Sequence, residues 1–216
     1  MLRRLIWLTI FAIGMAHVEA SLVVHLRSLY YPDNPLILFP LSLLSPRDLV
    51  IELSRELATI LMILSVAFLA EKGSVRIFAA FVYVFGLWDI FYYLWLKLMM
   101  GWPVSWLEWD VLFLIPWPWL GPWITPAFIA LLFVAWGAWI MRSSRHYRFT
   151  PVSVLGFIFG SLLCLYAFLL PAFPLLEGGD AAFRQYQPGI FPWGWYLAGY
   201  LVMANALRQM ALSYRS

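Results

Sequence analysis

An all-α integral membrane protein, a six-span transmembrane helical bundle in one domain over residues 1–216, is the fold that this sequence predicts. Three observations carry it. Of the 216 residues, 64% are hydrophobic and only 12% charged, where soluble domains carry roughly a quarter charged residues. The apolar residues gather in six stretches, each near the ~20 residues a helix needs to cross hydrocarbon. The basic residues are spread over the ends of those stretches. No stretch between them is long or polar enough for a separate soluble domain.

The expected spans are 5–29, 48–70, 76–100, 122–142, 150–171 and 190–212. In the first, Met1-Leu-Arg-Arg followed by the apolar run 5–16 resembles a secretory signal, with Val18-Glu19-Ala20 as a cleavage-like site. The apolar run resumes after Ala20 as Ser21-Leu-Val-Val-His-Leu, so an uncleaved span is expected. Ser45-Pro-Arg-Asp48 starts the second span, and Pro122 can start the fourth. Pro151 falls in the first turn of the fifth, where a missing N–H costs little. Gly156 and Gly160 in that span have the small-xxx-small spacing of close helix packing.

Two connectors are unusual. Residues 31–47 include Leu36-Ile-Leu-Phe-Pro-Leu-Ser-Leu-Leu, too apolar for a freely solvated loop. Residues 101–122, rich in tryptophan and proline, predict a short interfacial or re-entrant helix near 104–115 with a proline-broken return. Both connectors are expected to roof whatever lies beneath them.

Charge sets the orientation. With a cytoplasmic N-terminus, nine of the fourteen basic residues fall on the inner side, among them Arg3, Arg4, Lys72, Arg76, Arg142 and Arg145. Of the acids, only Glu71 falls there. The expectation is a multi-pass protein of the cytoplasmic (inner) membrane with both termini cytoplasmic and a tryptophan belt at the outer interface. The net charge of +3 is too dispersed for nucleic acid binding. Cys164 stands alone, which excludes an intrachain disulfide framework and a thiolate metal cage.

Ionisable groups inside apolar spans are costly and point to function. Glu52, Arg55, Glu56 and Thr59 follow i, i+3, i+4, i+7 and share one helix face. Asp89, Tyr93 and Lys97 form a ladder at i, i+4, i+8. In the first span, His17, Ser21 and His25 lie along one side, while Glu19 points away from His17. Counted from the outer ends, Glu19, Glu56 and Asp89 are roughly 12–17 Å deep, and Glu52 and His25 about 6 Å. Matched depth on consecutive spans predicts convergence on one carboxylate-rich pocket, beneath the connector that carries Glu108 and Asp110.

Carboxylates with imidazole suit a transition metal ion held across facing helices. The candidate ligands are Glu19, Glu56 and Asp89, then Glu52, His17 and His25, with Arg55 as charge partner. His17 and His25 stand about 12 Å apart along the axis and cannot share one ion. Small-ligand binding is the companion reading, and either site could be catalytic. A proton- or cation-coupled transporter and a non-catalytic subunit of a larger membrane complex are the alternatives. The lipid bilayer and, for the last, other membrane subunits are the expected partners. Asp89 also has a structural reading, an ion pair with Arg55. No phosphate-binding loop, nucleophile elbow or Glu-x-x-His spacing occurs.

Overall fold

The computed structural model describes residues 2–36, 38–39, 41 and 44–215, apart from the side chains at 176, 177, 179, 180 and 215. It is mostly helical: α1 (Leu2–Tyr30), α2 (Pro46–Ala70), α3 (Ser74–Met100), α4 (Ile124–Arg142), α5 (Pro151–Leu169), α6 (Pro174–Gln185) and α7 (Trp193–Leu212). A 3-10 turn at Leu170–Ala172 extends α5. Among the described residues, α1 to α4 and the segment Pro151–Ala172 are long and apolar enough to cross a membrane. The segment expected as the sixth span, 190–212, forms α7, a helix of 20 residues that is not among those five. Gly194, Gly199, Asn205, Arg208 and Gln209 dilute its apolar character.

Local chemistry explains the helix ends. At α2, the Ser45 hydroxyl accepts from the Asp48 N–H at 3.1 Å, Pro46 occupies the first turn, and the Asp48 carboxylate sits at the positive end of the helix dipole. Thr150 and Ser153 form a reciprocal capping box at α5, with Pro151 in its first turn as expected. Helix α3 stops at Gly101, whose φ of +78° is the left-handed cap that glycine adopts most cheaply. Lys97 reinforces that end by donating to the Gly101 and Pro103 carbonyls at 2.9 and 2.8 Å.

The helix expected near 104–115 is not formed. Strands β1 (Trp109–Phe113) and β2 (Trp119–Pro122) make an antiparallel hairpin instead, pairing Asp110 with Gly121 and Val111 with Leu120. Pro116 and Pro118 lack the N–H that a helix requires and push their predecessors toward extended backbone. Pairing the strands satisfies main-chain polar groups that a proline-broken helix would leave open. Of the apolar connector at 36–44, residues 37, 40, 42 and 43 lie outside the described residues. Its described part behaves as expected: Leu41 is buried, and Phe39 packs on Tyr186. Helix α6, absent from the sequence expectation, contributes Leu175 to the same cluster.

Side-chain bonds orient the bundle. Glu71 accepts from Arg4 and Arg76, and Arg76 also reaches the carbonyls of Met141 and Ser143. The start of α1, the end of α2, the start of α3 and the end of α4 therefore meet at one end. Strands β3 (His146–Tyr147) and β4 (Tyr214–Arg215) pair nearby, bringing the C-terminal segment to that same end. Close approach relies on glycine. A Cβ on Gly160 would stand 2.7 Å from the Gly199 carbonyl of α7, and one on Gly137 of α4 would stand 2.6 Å from the Ala79 carbonyl of α3. Gly86 likewise admits α4 at Ala130.

Candidate functional site

A cavity of about 460 Å³ opens at the end of the bundle away from the termini, between α1, α2 and α3. The hairpin, the 31–47 connector and Phe183 of α6 complete its wall. Its size suits a small molecule, and its lining is mainly apolar with a few converging polar groups, the usual make-up of a ligand site. Five carboxylates face it (Glu19, Glu52, Glu56, Asp89 and Asp110) together with the guanidinium groups of Arg27 and Arg55.

Two ion clusters occupy the wall. Arg55 donates through Nε and Nη2 to Glu52 Oε2 at 2.8 and 2.7 Å, one turn back on α2, and through Nη1 to Glu19 of α1. That triad ties α1 to α2 and leaves one carboxylate in excess. In the second cluster, Arg27 Nη2 donates to Asp110 Oδ1 at 3.0 Å, and its guanidinium lies over the Trp102 ring at 4.0 Å. The Tyr93 hydroxyl donates to Asp110 Oδ2 at 3.4 Å. Burial raises the Asp110 pKa above the ordinary aspartate value, while Arg27, the Val111 amide and Tyr93 pull it back. Tyr92 stands between the clusters, within electrostatic reach of Arg27, Arg55, Asp89 and Asp110.

Glu56 has a private partner. Both its oxygens accept from the Leu114 N–H, at 2.9 and 3.1 Å, anchoring the hairpin over the cavity. Asp89 is different. Among the described residues its carboxylate has no hydrogen bond or ion pair, and its Oδ2 is buried. Asp110 lies within electrostatic reach of it. The expected Asp89–Arg55 pair does not form, because Glu19 and Glu52 already engage Arg55. Among the described residues, two buried donors from cavity-lining residues also lack acceptors, Arg27 Nη1 and Trp88 Nε1.

The structure thus brings Glu19, Glu52, Arg55, Glu56 and Asp89 together around one space and leaves the two histidines out. His17 is exposed, with its ring edge-on to Trp95, and exposed His25 contacts the Ser21 carbonyl. Neither lines the cavity. The metal expectation is not supported: among the described residues no three of His, Cys, Asp and Glu are placed to hold an ion. Arg55 and the Leu114 amide occupy the oxygens that such an ion would need. Glu108 is also outside the cavity, accepting from the Val104 and Ser105 amides.

Sequence reasoning missed Arg27 as a site residue. The available signal was its spacing, eight residues after Glu19, which puts it about 80° round the helix and within one broad stripe. It also missed Trp88, which carries no signal distinguishing it from a core tryptophan. No family model, curated protein or solved structure matches the chain. The chemistry of the site therefore has to be argued from its geometry.

Proposed function

We propose that this chain is a six-span protein of the inner membrane, with both termini cytoplasmic, that binds a small amphiphilic organic cation in an outward-facing cavity. One observation carries the reading: of the five carboxylates around the cavity, Asp89 alone has no partner among the described residues. An unpaired acid at that depth needs a proton, a cation or a donor to offset its desolvation. Five carboxylates against two guanidinium groups favour positive charge in the space between them. Trp88, Tyr92 and Tyr93 offer the aromatic faces on which an ammonium group rests well. The apolar remainder of the wall suits a hydrocarbon body. A head group that also carries an oxygen acceptor meets Arg27 Nη1 and Trp88 Nε1.

Transport through the protein has less support. Toward the terminal end, α1, α2 and α3 are filled by Ala12, Ala16, Ile63, Ala67 and Ala79, all fully buried. The cavity's polar groups lie at the end away from the termini, as binding from one side requires.

The test is equilibrium binding of a long-chain alkylamine to the detergent-purified protein, beside the alkanol and the fatty acid of equal length. The amine is expected to bind best, and Asp89→Asn to weaken it about tenfold, the usual worth of a hydrogen bond to a charged group. Equal affinity for amine and fatty acid, or full retention in Asp89→Asn, sinks the reading. For orientation, Ser105→Cys and Ser144→Cys lie at opposite ends, and the native Cys164 is buried. An impermeant maleimide on intact cells should label only the first.

A further inference from the structure

At the opposite end of the bundle, an open cleft of about 550 Å³ lies between the last turns of α4 and the 143–147 turn. Arg142 and Arg145 line it, with Ser143, Ser144, Trp139 and Tyr147. The Arg145 guanidinium is held over the Tyr214 ring at 4.1 Å, and Ser143 Oγ accepts from the Arg145 N–H at 3.2 Å, so the turn is ordered around the cleft. The exposed Arg142 side chain has no acid partner among the described residues. The acid at this end, Glu71, is committed to Arg4 and Arg76. Two guanidinium groups therefore face a cleft whose described lining contains no carboxylate.

The cleft continues onto an exposed apolar surface. Phe128, Leu131, Ala135 and Trp139 are exposed and recur at i, i+3, i+7, i+11 along one side of α4. Trp139, 65% exposed, stands one turn from the arginines, at the level where interfacial tryptophans sit beside headgroups. Ala135 and Ala138 keep the strip shallow next to it. A planar guanidinium matches phosphate oxygens in a fork, and serine hydroxyls can add further donors.

From this arrangement we infer that the cleft is a binding site for one anionic phospholipid. Its phosphate lies between Arg142 and Arg145, and an acyl chain runs along the Phe128–Leu131–Ala135–Trp139 strip. The inference does not rest on the cavity at the other end. It needs only that α4 faces lipid.

The experiment is native mass spectrometry of the full chain reconstituted in mixed phosphatidylglycerol and phosphatidylcholine, then transferred to detergent. Wild-type protein is expected to retain one phosphatidylglycerol, and Arg142→Gln/Arg145→Gln none. Each arginine contributes about fivefold to affinity in a titration with phosphatidylglycerol. Arg148→Gln removes the same charge from a residue outside the cleft and should retain the lipid. Loss in Arg148→Gln equal to that in the double variant overturns the inference, since attraction would then be diffuse. Retention of phosphatidylcholine in place of phosphatidylglycerol also overturns it. Displacement by inorganic phosphate alone would make the site one for free phosphate and defeat the lipid assignment. Folding of the variants is checked by an unchanged thermal midpoint in phosphatidylcholine alone.

Discussion

Arg27 and Asp110 form a 3.0 Å ion pair with both side chains about 95% removed from solvent, one on α1 and the other on the hairpin. Breaking such a pair on one side leaves a buried charge unmatched. Asp110→Asn is expected to destabilise the protein by about 3–5 kcal/mol, while the volume-matched double change Arg27→Met/Asp110→Leu recovers most of that loss. Denaturant unfolding in detergent measures both, and a double variant as weak as the single one would contradict the account.

Removing Asp89 should have the opposite sign. Its carboxylate has no partner among the described residues, so Asp89→Asn relieves desolvation and leaves the thermal midpoint unchanged or higher, even as the amine binds more weakly. Stability given up for binding is the common pattern at functional sites. A fall in midpoint of the size seen for Asp110→Asn would mark Asp89 as structural.

Glu56 acts through the Leu114 amide. Glu56→Gln keeps a carbonyl acceptor and should fold normally. Glu56→Ala strands the amide, at a cost of about 1–3 kcal/mol, and speeds hydrogen exchange at Leu114. Equal exchange in the two variants would remove the anchoring role.

Helix packing gives a sharp contrast between two glycines. A Cβ on Gly160 would lie 2.6 Å from the Met203 amide nitrogen, whereas one on Gly14 meets nothing within 4 Å. Gly160→Val should therefore separate α5 from α7 and abolish a cooperative melt, and Gly14→Ala should be neutral or slightly stabilising. Differential scanning calorimetry distinguishes them.

Alkaline stability follows Tyr186, buried with its hydroxyl unpartnered among the described residues. Burial pushes its pKa from the ordinary 10.0 up to about 12. The folded state thus holds the neutral phenol, and its contribution is fully present below pH 10 and lost as pH rises from 10 toward 12. Tyr186→Phe should flatten that part of the stability–pH curve. A curve unchanged in Tyr186→Phe would assign the loss to another group.

Legibility followed the range of the interactions. Helices set by local hydrophobic runs were readable to within a few residues: 5–29 became Leu2–Tyr30, 48–70 became Pro46–Ala70, and 76–100 became Ser74–Met100. The face shared by Glu52, Arg55 and Glu56 was readable because it depends only on helical spacing, and the depth match placed Glu19 and Asp89 at the same cavity. The hairpin at 109–122 was misread as a helix, since its strands are stabilised by each other and not by their own periodicity.

The sequence by itself determined an apolar helical bundle and the level at which its cavity charges gather, both consequences of one-dimensional pattern against hydrocarbon. Only the tertiary structure decided who partners whom. Arg55 takes Glu19 and Glu52, Arg27 takes Asp110, the Leu114 amide takes Glu56, and the histidines turn outward. Those choices depend on helix rotation and on a loop folding back over the bundle, which bring together groups as many as 83 residues apart. Among the described residues, Asp89 is left without a partner by that same competition, which local sequence cannot encode.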